Sequence, residues 1–256
     1  MKKSLLTLGL ALMSLVLVSC SSSGNSSNSN PSTPGQAQGV YVGSTSTGLA
    51  FDAIVLPNDQ FYALYGNTSG NIFYVCGLAT GQGASSSGKY NATENDFDYC
   101  GGSLAVYSGN VTGTYTPGSS ISGSITENGN SESFTGSAPA TSLFNYNSAA
   151  SLASISGSWS GSLTDGESAS LTISSSGSAS GTSSSGCSFS ATITPDSSNK
   201  NFVDITLTFG GAPCELPNQS ASGIGVDYLL SDGVTTQLLA AVSSGSSFGI
   251  VIAAQR

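Results

Sequence analysis

The residues of this chain best placed for chemistry are carboxylates crowded into one short stretch, Thr93-Glu94-Asn95-Asp96-Phe97-Asp98-Tyr99-Cys100. Glu94, Asp96 and Asp98 alternate, so an extended strand would send all three to one side. Oxygen donors of this kind suit Ca²⁺, and two carboxylates are all that glycoside hydrolysis asks of a protein. An EF-hand is excluded because no Gly or closing Glu falls in register. Three like charges on one face repel one another, so the expectation is a solvated loop or strand edge. Histidine is absent, which removes Ser-His-Asp and Cys-His catalysis. Lys89 and Lys200 could activate a serine, but both sit among turn-forming residues and read as solvated. Gly81-Gln82-Gly83 lacks the Gly-Lys-Ser/Thr ending of a phosphate loop. The expectation is no cofactor and no metal.

Tyrosine is the second chemical feature. Residues 39–137 hold eight tyrosines, whereas 157–256 hold only Tyr228. Phe61-Tyr62-Ala63-Leu64-Tyr65 and Ile72-Phe73-Tyr74-Val75-Cys76 are apolar on both faces. One face fills a core; the other must meet a second sheet, a second domain or a ligand. Tyr62, Tyr65 and Tyr74 are therefore candidate recognition residues, since tyrosine combines an apolar body with a polar tip.

The elements that must position these residues are strands. Phe202 to Phe209 alternates with period two, as a half-buried strand does. Asp165-Gly166 and Asp232-Gly233 read as type I′ hairpin turns. No amphipathic helix stands out after residue 20. Gly39-Val40-Tyr41-Val42-Gly43-Ser44 and Gly157-Ser158-Trp159-Ser160-Gly161-Ser162 share the pattern Gly-x-aromatic-x-Gly-Ser. Each is followed by short strands and two cysteines, which points to a duplicated β domain. The fold expected is all-β, with two tandem antiparallel β-barrel or β-sandwich domains over 39–137 and 155–256. The Ser/Ala-rich stretch 138–154 reads as the linker.

Only 7% of the 256 residues are charged, against about 25% in ordinary soluble domains. Acidic groups number 14 against five basic ones, two of which are Lys2 and Lys3. Such a chain lacks the clustered Lys/Arg that nucleic acid requires, and it is equally unsuited to anionic headgroups. At the N-terminus, Lys2 and Lys3 precede an apolar run, Leu5 to Val18. That run is shorter than the ~18–20 apolar residues of a spanning helix and fits a secretory signal.

Leu17-Val18-Ser19-Cys20 resembles the lipobox of bacterial lipoproteins. The resemblance implies a signal peptide over 1–19, cleavage before Cys20, and diacylglyceryl and palmitate attachment there. Ser21 in place of aspartate implies the outer membrane. Residues 20–38, nearly all Ser, Asn, Gly, Pro, Gln and Thr, read as a flexible tether. With Cys20 lipidated, four cysteines remain, and export permits disulfides. Of three pairings, the duplication selects Cys76–Cys100 and Cys187–Cys214. The paired Gly-x-aromatic-x-Gly segments and Thr206 to Ile224 resemble a group of Ser/Gly-rich lipoproteins of proteobacterial envelopes. Gly157-Ser158-Trp159 also resembles the lipocalin opening, which implies a ligand-holding barrel with Trp159 closing one end.

The function expected is a non-enzymatic, lipid-anchored envelope binding or surface protein with a protein or glycan partner. The alternatives are a carboxylate-dependent polysaccharide hydrolase and a lipocalin-like small-ligand carrier.

Overall fold

The computed structural model describes residues 36–256 apart from Asn71 and Ser231. The expected signal peptide, Cys20 and the tether up to residue 35 lie outside the described residues. The first eight strands are β1 (Gly39–Thr45), β2 (Ala50–Val55), β3 (Gln60–Ser69), β4 (Ile72–Ser86), β5 (Lys89–Asp98), β6 (Ala105–Thr116), β7 (Ser120–Glu127) and β8 (Asn130–Ser137). The next eight are β9 (Gly157–Leu163), β10 (Ser168–Ile173), β11 (Ser178–Ser183), β12 (Ser188–Pro195), β13 (Val203–Phe209), β14 (Ser220–Leu229), β15 (Thr236–Ser244) and β16 (Phe248–Gln255). Each set pairs neighbour to neighbour, antiparallel throughout, and closes into a barrel. Closure leaves no open sheet edge, which matters for a chain so poor in the charges that usually protect edges.

Turn chemistry sets the register. Asn128-Gly129 joins β7 to β8 with φ of 48° and 81°, the paired positive values of a type I′ turn. Asp165-Gly166 differs from expectation, since only Gly166 has positive φ, at 89°. Gly166 N–H donates to Leu163 at 3.1 Å, and Leu163 N–H to Glu167 at 2.8 Å. This is a three-residue loop ending in a left-handed glycine, which a right-twisted hairpin accommodates equally well.

The two Gly-x-aromatic openings do the same job. Tyr41 donates its hydroxyl to Ala37 O at 2.8 Å, and Trp159 donates Nε1–H to Ile155 O at 2.7 Å. Each large ring closes the end of its barrel at which the chain enters, with its polar atom satisfied four residues back. In the first barrel this end is sealed further by a polar network. Ala37 N–H donates to Ser85, Ser85 bonds the Asp59 carboxylate, and Tyr90 donates to Asp59 O. Gln36 to Gln38 are thus part of the folded barrel, which shortens the expected tether at its C-terminal end.

Between the barrels lies a continuous apolar layer. Ile54, Tyr62, Leu64, Leu78 and Phe97 of β2–β5 pack with Ile224, Leu239, Ala241 and Val251 of β14–β16. Phe97 is fully buried, its ring seated over Gly249, and Tyr99 donates to Gly249 O at 3.0 Å. The connecting residues 138–156 contribute Phe144 and Tyr146 to the same layer. They also form one short helix, α1 (Leu152–Ile155), capped by Ser151. The second face of the tyrosine-rich strands therefore meets the other barrel.

Candidate functional site

That packing decides which way the acidic residues point. Because Phe97 on β5 faces the second barrel, Glu94, Asp96 and Asp98 face the first barrel's interior. The expectation of a solvated edge is overturned: Glu94 is 4% and Asp96 8% exposed. They line a cavity of about 260 Å³ together with Tyr65, Tyr107, Glu127 and Glu132.

Register assembles the carboxylates. Glu94 on β5 lies opposite Gly109 on β6, which lies opposite Glu127 on β7. A Cβ at Gly109 would stand 2.7 Å from Glu127 Cγ and 2.8 Å from Glu94 Oε1. The absent side chain is what lets the two carboxyls meet. Among the described residues neither oxygen of Glu94 has a hydrogen-bond partner; the Glu127 carboxyl faces it across Gly109, and its charge disfavours ionisation of Glu94. Two residues along β5, Asp96 accepts from the Tyr65 hydroxyl at 2.8 Å. The Tyr65 ring reaches it by lying across Gly77, where a Cβ would stand 1.9 Å from Cζ.

Electrostatics follow from burial without compensation. Desolvation pushes the Glu94 carboxyl up to about 8, and the charges of Glu127 and Asp96 act in the same direction. Desolvation also pushes Asp96 up to about 7; the Tyr65 hydrogen bond opposes this and Glu127 and Asp98 add to it. Among the described residues the cations are Lys89, Lys200 and Arg256, and none of them lines the cavity. Arg256 is committed to the Ser154 and Ser156 carbonyls over the Trp159 ring, and Lys200 to Asn147. Among the described residues no cluster of three or more acidic or thiol ligands converges as a metal site.

The cavity's walls are aromatic and small. Phe51 and Phe134 meet edge to face at 6.0 Å, while Ala53, Ala63 and Ala79 leave the space open. Its acidic end is spanned by the β1–β2, β3–β4, β5–β6 and β7–β8 connections, away from the sealed tyrosine end. The Cys76–Cys100 disulfide ties β4 to the end of β5 there. The second barrel carries the Cys187–Cys214 disulfide. Its interior is lined mainly by Leu, Ile, Val and Phe, with Asp165, Glu167 and Glu215 also on the wall, and leaves about 100 Å³. A third hollow, about 270 Å³, lies between the barrels and contains Asp52, which burial pushes up to about 6.

The three candidate tyrosines do not share a face. Tyr62 is buried between the barrels, Tyr65 points into the first barrel, and only Tyr74 is exposed, at 52%. Tyr62 and Tyr65 are three residues apart on β3, so strand alternation alone sends them to opposite faces; the register shift after Tyr65 skips Cys76 on β4 and leaves Tyr74 on the face opposite Phe73 and Val75. Sequence reasoning overlooked Glu127, Glu132 and Tyr107. Glu127 had a signal, because it directly precedes Asn128-Gly129, and a two-residue hairpin there fixes its facing relative to β8.

No protein-family model and no curated protein matches this chain. Among solved structures, it is similar to the isotype 1 transferrin binding protein B from serogroup B Neisseria meningitidis, at 10% identity and a TM-score of 0.24. The match covers 82% of this chain and 66% of that one, slightly less than two thirds of its length.

Proposed function

We propose that this chain is a non-enzymatic binding protein of the bacterial envelope, lipidated at Cys20 and held at the outer membrane, which takes a small ligand inside its first barrel. The observation that carries the reading is the contrast between two barrels of the same topology. One keeps only about 100 Å³ among mainly apolar side chains; the other keeps about 260 Å³ free beside two deeply buried carboxylates, with no cation among the described residues on its wall. Small-molecule sites have this character, mostly apolar with a few convergent polar groups. Leaving such carboxylates unpaired costs stability, so a binding role accounts for their retention.

The hydrolase alternative has less support. Glycosidases place a sugar between their two carboxyls, whereas only the width of Gly109 separates Glu94 from Glu127. A tyrosine-rich recognition surface loses Tyr62 and Tyr65 to the interior. Native mass spectrometry of the full-length protein, extracted gently from membranes, tests the reading. A bound small molecule that is lost when Ala63→Phe fills the first barrel supports it. Apo protein throughout, with no small molecule of any charge class binding, contradicts it.

A further inference from the structure

We propose that the first barrel's chamber selects an organic ammonium ion with an apolar body, seating the charge by Glu94 and Asp96 and the body against Phe51 and Phe134. This rests on the reading of that barrel as a ligand chamber and adds the chemical class. Glu94 is 96% removed from solvent and both its oxygens lack a donor, yet it lines open space. Asp96 beside it lines the same space and accepts from the Tyr65 hydroxyl through Oδ1. Two buried carboxylates facing a void that no cation among the described residues lines call for a positive guest.

The rest of the wall says which kind. Among the described residues no metal-holding cluster converges, and a bare divalent ion would leave the aromatic part of the cavity empty. An ammonium group on an apolar frame satisfies both halves. Its N–H groups donate to the carboxylates, and its body fills the space lined by the edge-to-face Phe51–Phe134 pair and Tyr107. The groups facing the guest are Tyr65 from β3, Glu94, Asp96 and Asp98 from β5, Tyr107 from β6, Glu127 from β7 and Glu132 from β8. Burial makes Glu94 hold its proton, and a cation that pairs with the ionised carboxyl displaces it, so affinity should rise with pH, by up to about tenfold per unit for each proton displaced.

The test is calorimetric titration of the full-length protein with phenethylamine, spermidine and choline. Phenethyl alcohol, phenylacetate and CaCl₂ are titrated in parallel. The proposal expects at least one amine to bind, phenethyl alcohol and phenylacetate to bind at least about tenfold more weakly than phenethylamine, and Glu94→Gln to weaken the amine by about thirtyfold or more. Asp96→Asn should weaken it by about tenfold, while Glu215→Gln in the second barrel should have no effect. The Gln and Asn changes are nearly isosteric, and circular dichroism checks their fold. If the alcohol or phenylacetate binds the first barrel as well as the amine does, the ammonium assignment falls and the chamber reading stands. If only Ca²⁺ binds, the assignment falls to a metal. If no compound of any charge binds, both fall.

Discussion

Replacing Glu94 by Gln changes one atom and removes one buried charge, which makes it a sharp probe of the acidic chamber. The Glu94 carboxyl stands at about 8, against 4.5 for an unperturbed group, with burial the largest cause. A raised carboxyl means that the native state holds its proton more tightly than the unfolded chain does. Stability from this group is therefore fully present below the unfolded value and is lost as pH rises through the native one. Each unit of separation is worth ~1.4 kcal/mol, so the loss amounts to on the order of 4–5 kcal/mol between about pH 4.5 and 8. Glutamine mimics the protonated acid and cannot ionise. Urea unfolding of both proteins at half-unit steps from about pH 5 to 8 measures the difference. The two should be nearly equally stable at the acidic end. At the alkaline end the variant should lead by a few kcal/mol, its curve shallower by up to ~1.4 kcal/mol per pH unit. Parallel curves across the range would refute the placement of Glu94 as a buried, uncompensated carboxyl.

Other consequences are as direct. Gly77→Ala puts a methyl where the Tyr65 ring lies, and should lower stability by ~1–3 kcal/mol and release the Tyr65–Asp96 hydrogen bond, read from the tyrosine's ultraviolet titration. Phe97→Ala empties a fully buried site between the barrels and should cost ~3–5 kcal/mol; scanning calorimetry should show one cooperative transition in the parent and two in the variant. Removing Cys187–Cys214, with 27 residues of separation, by a paired Cys→Ser substitution should cost roughly 3.5 kcal/mol in the chain-entropy account, measured as a fall in Tm. Cys20→Ala should abolish labelled palmitate incorporation, and label persisting in that protein would remove the proposed anchor.

Much of the architecture was legible because it rests on local chemistry. The repeated Gly-x-aromatic-x-Gly start marks a closing ring in both barrels, and the period-two runs mark the strands. The chamber was hidden for a specific reason. On an ordinary half-buried strand the apolar residues face inward and the acids face water. β5 inverts this, since its outer face carries Phe97 and must meet the second barrel, which leaves the inner face to Glu94, Asp96 and Asp98. Nothing within 93–100 reveals that inversion; it depends on a contact with strands some 130–150 residues away, such as Phe97 on Gly249. The tyrosines misled in a related way: Tyr62 and Tyr65 alternate to opposite faces of β3, and the register shift at Tyr65/Gly66 turns Tyr74 away from the layer that Phe73 and Val75 join. Gly109 is equally silent in sequence, although it is the gap across which two carboxyls meet.

A crystal structure of the protein grown with phenethylamine at about pH 8, where Glu94 is poised to ionise, would test the central claim most directly. The account predicts electron density for the amine inside the first barrel, its nitrogen within hydrogen-bond reach of Glu94 and Asp96, and a second barrel that stays filled by its own side chains. An empty first barrel, with the amine between the barrels, inside the second, or nowhere, would contradict it.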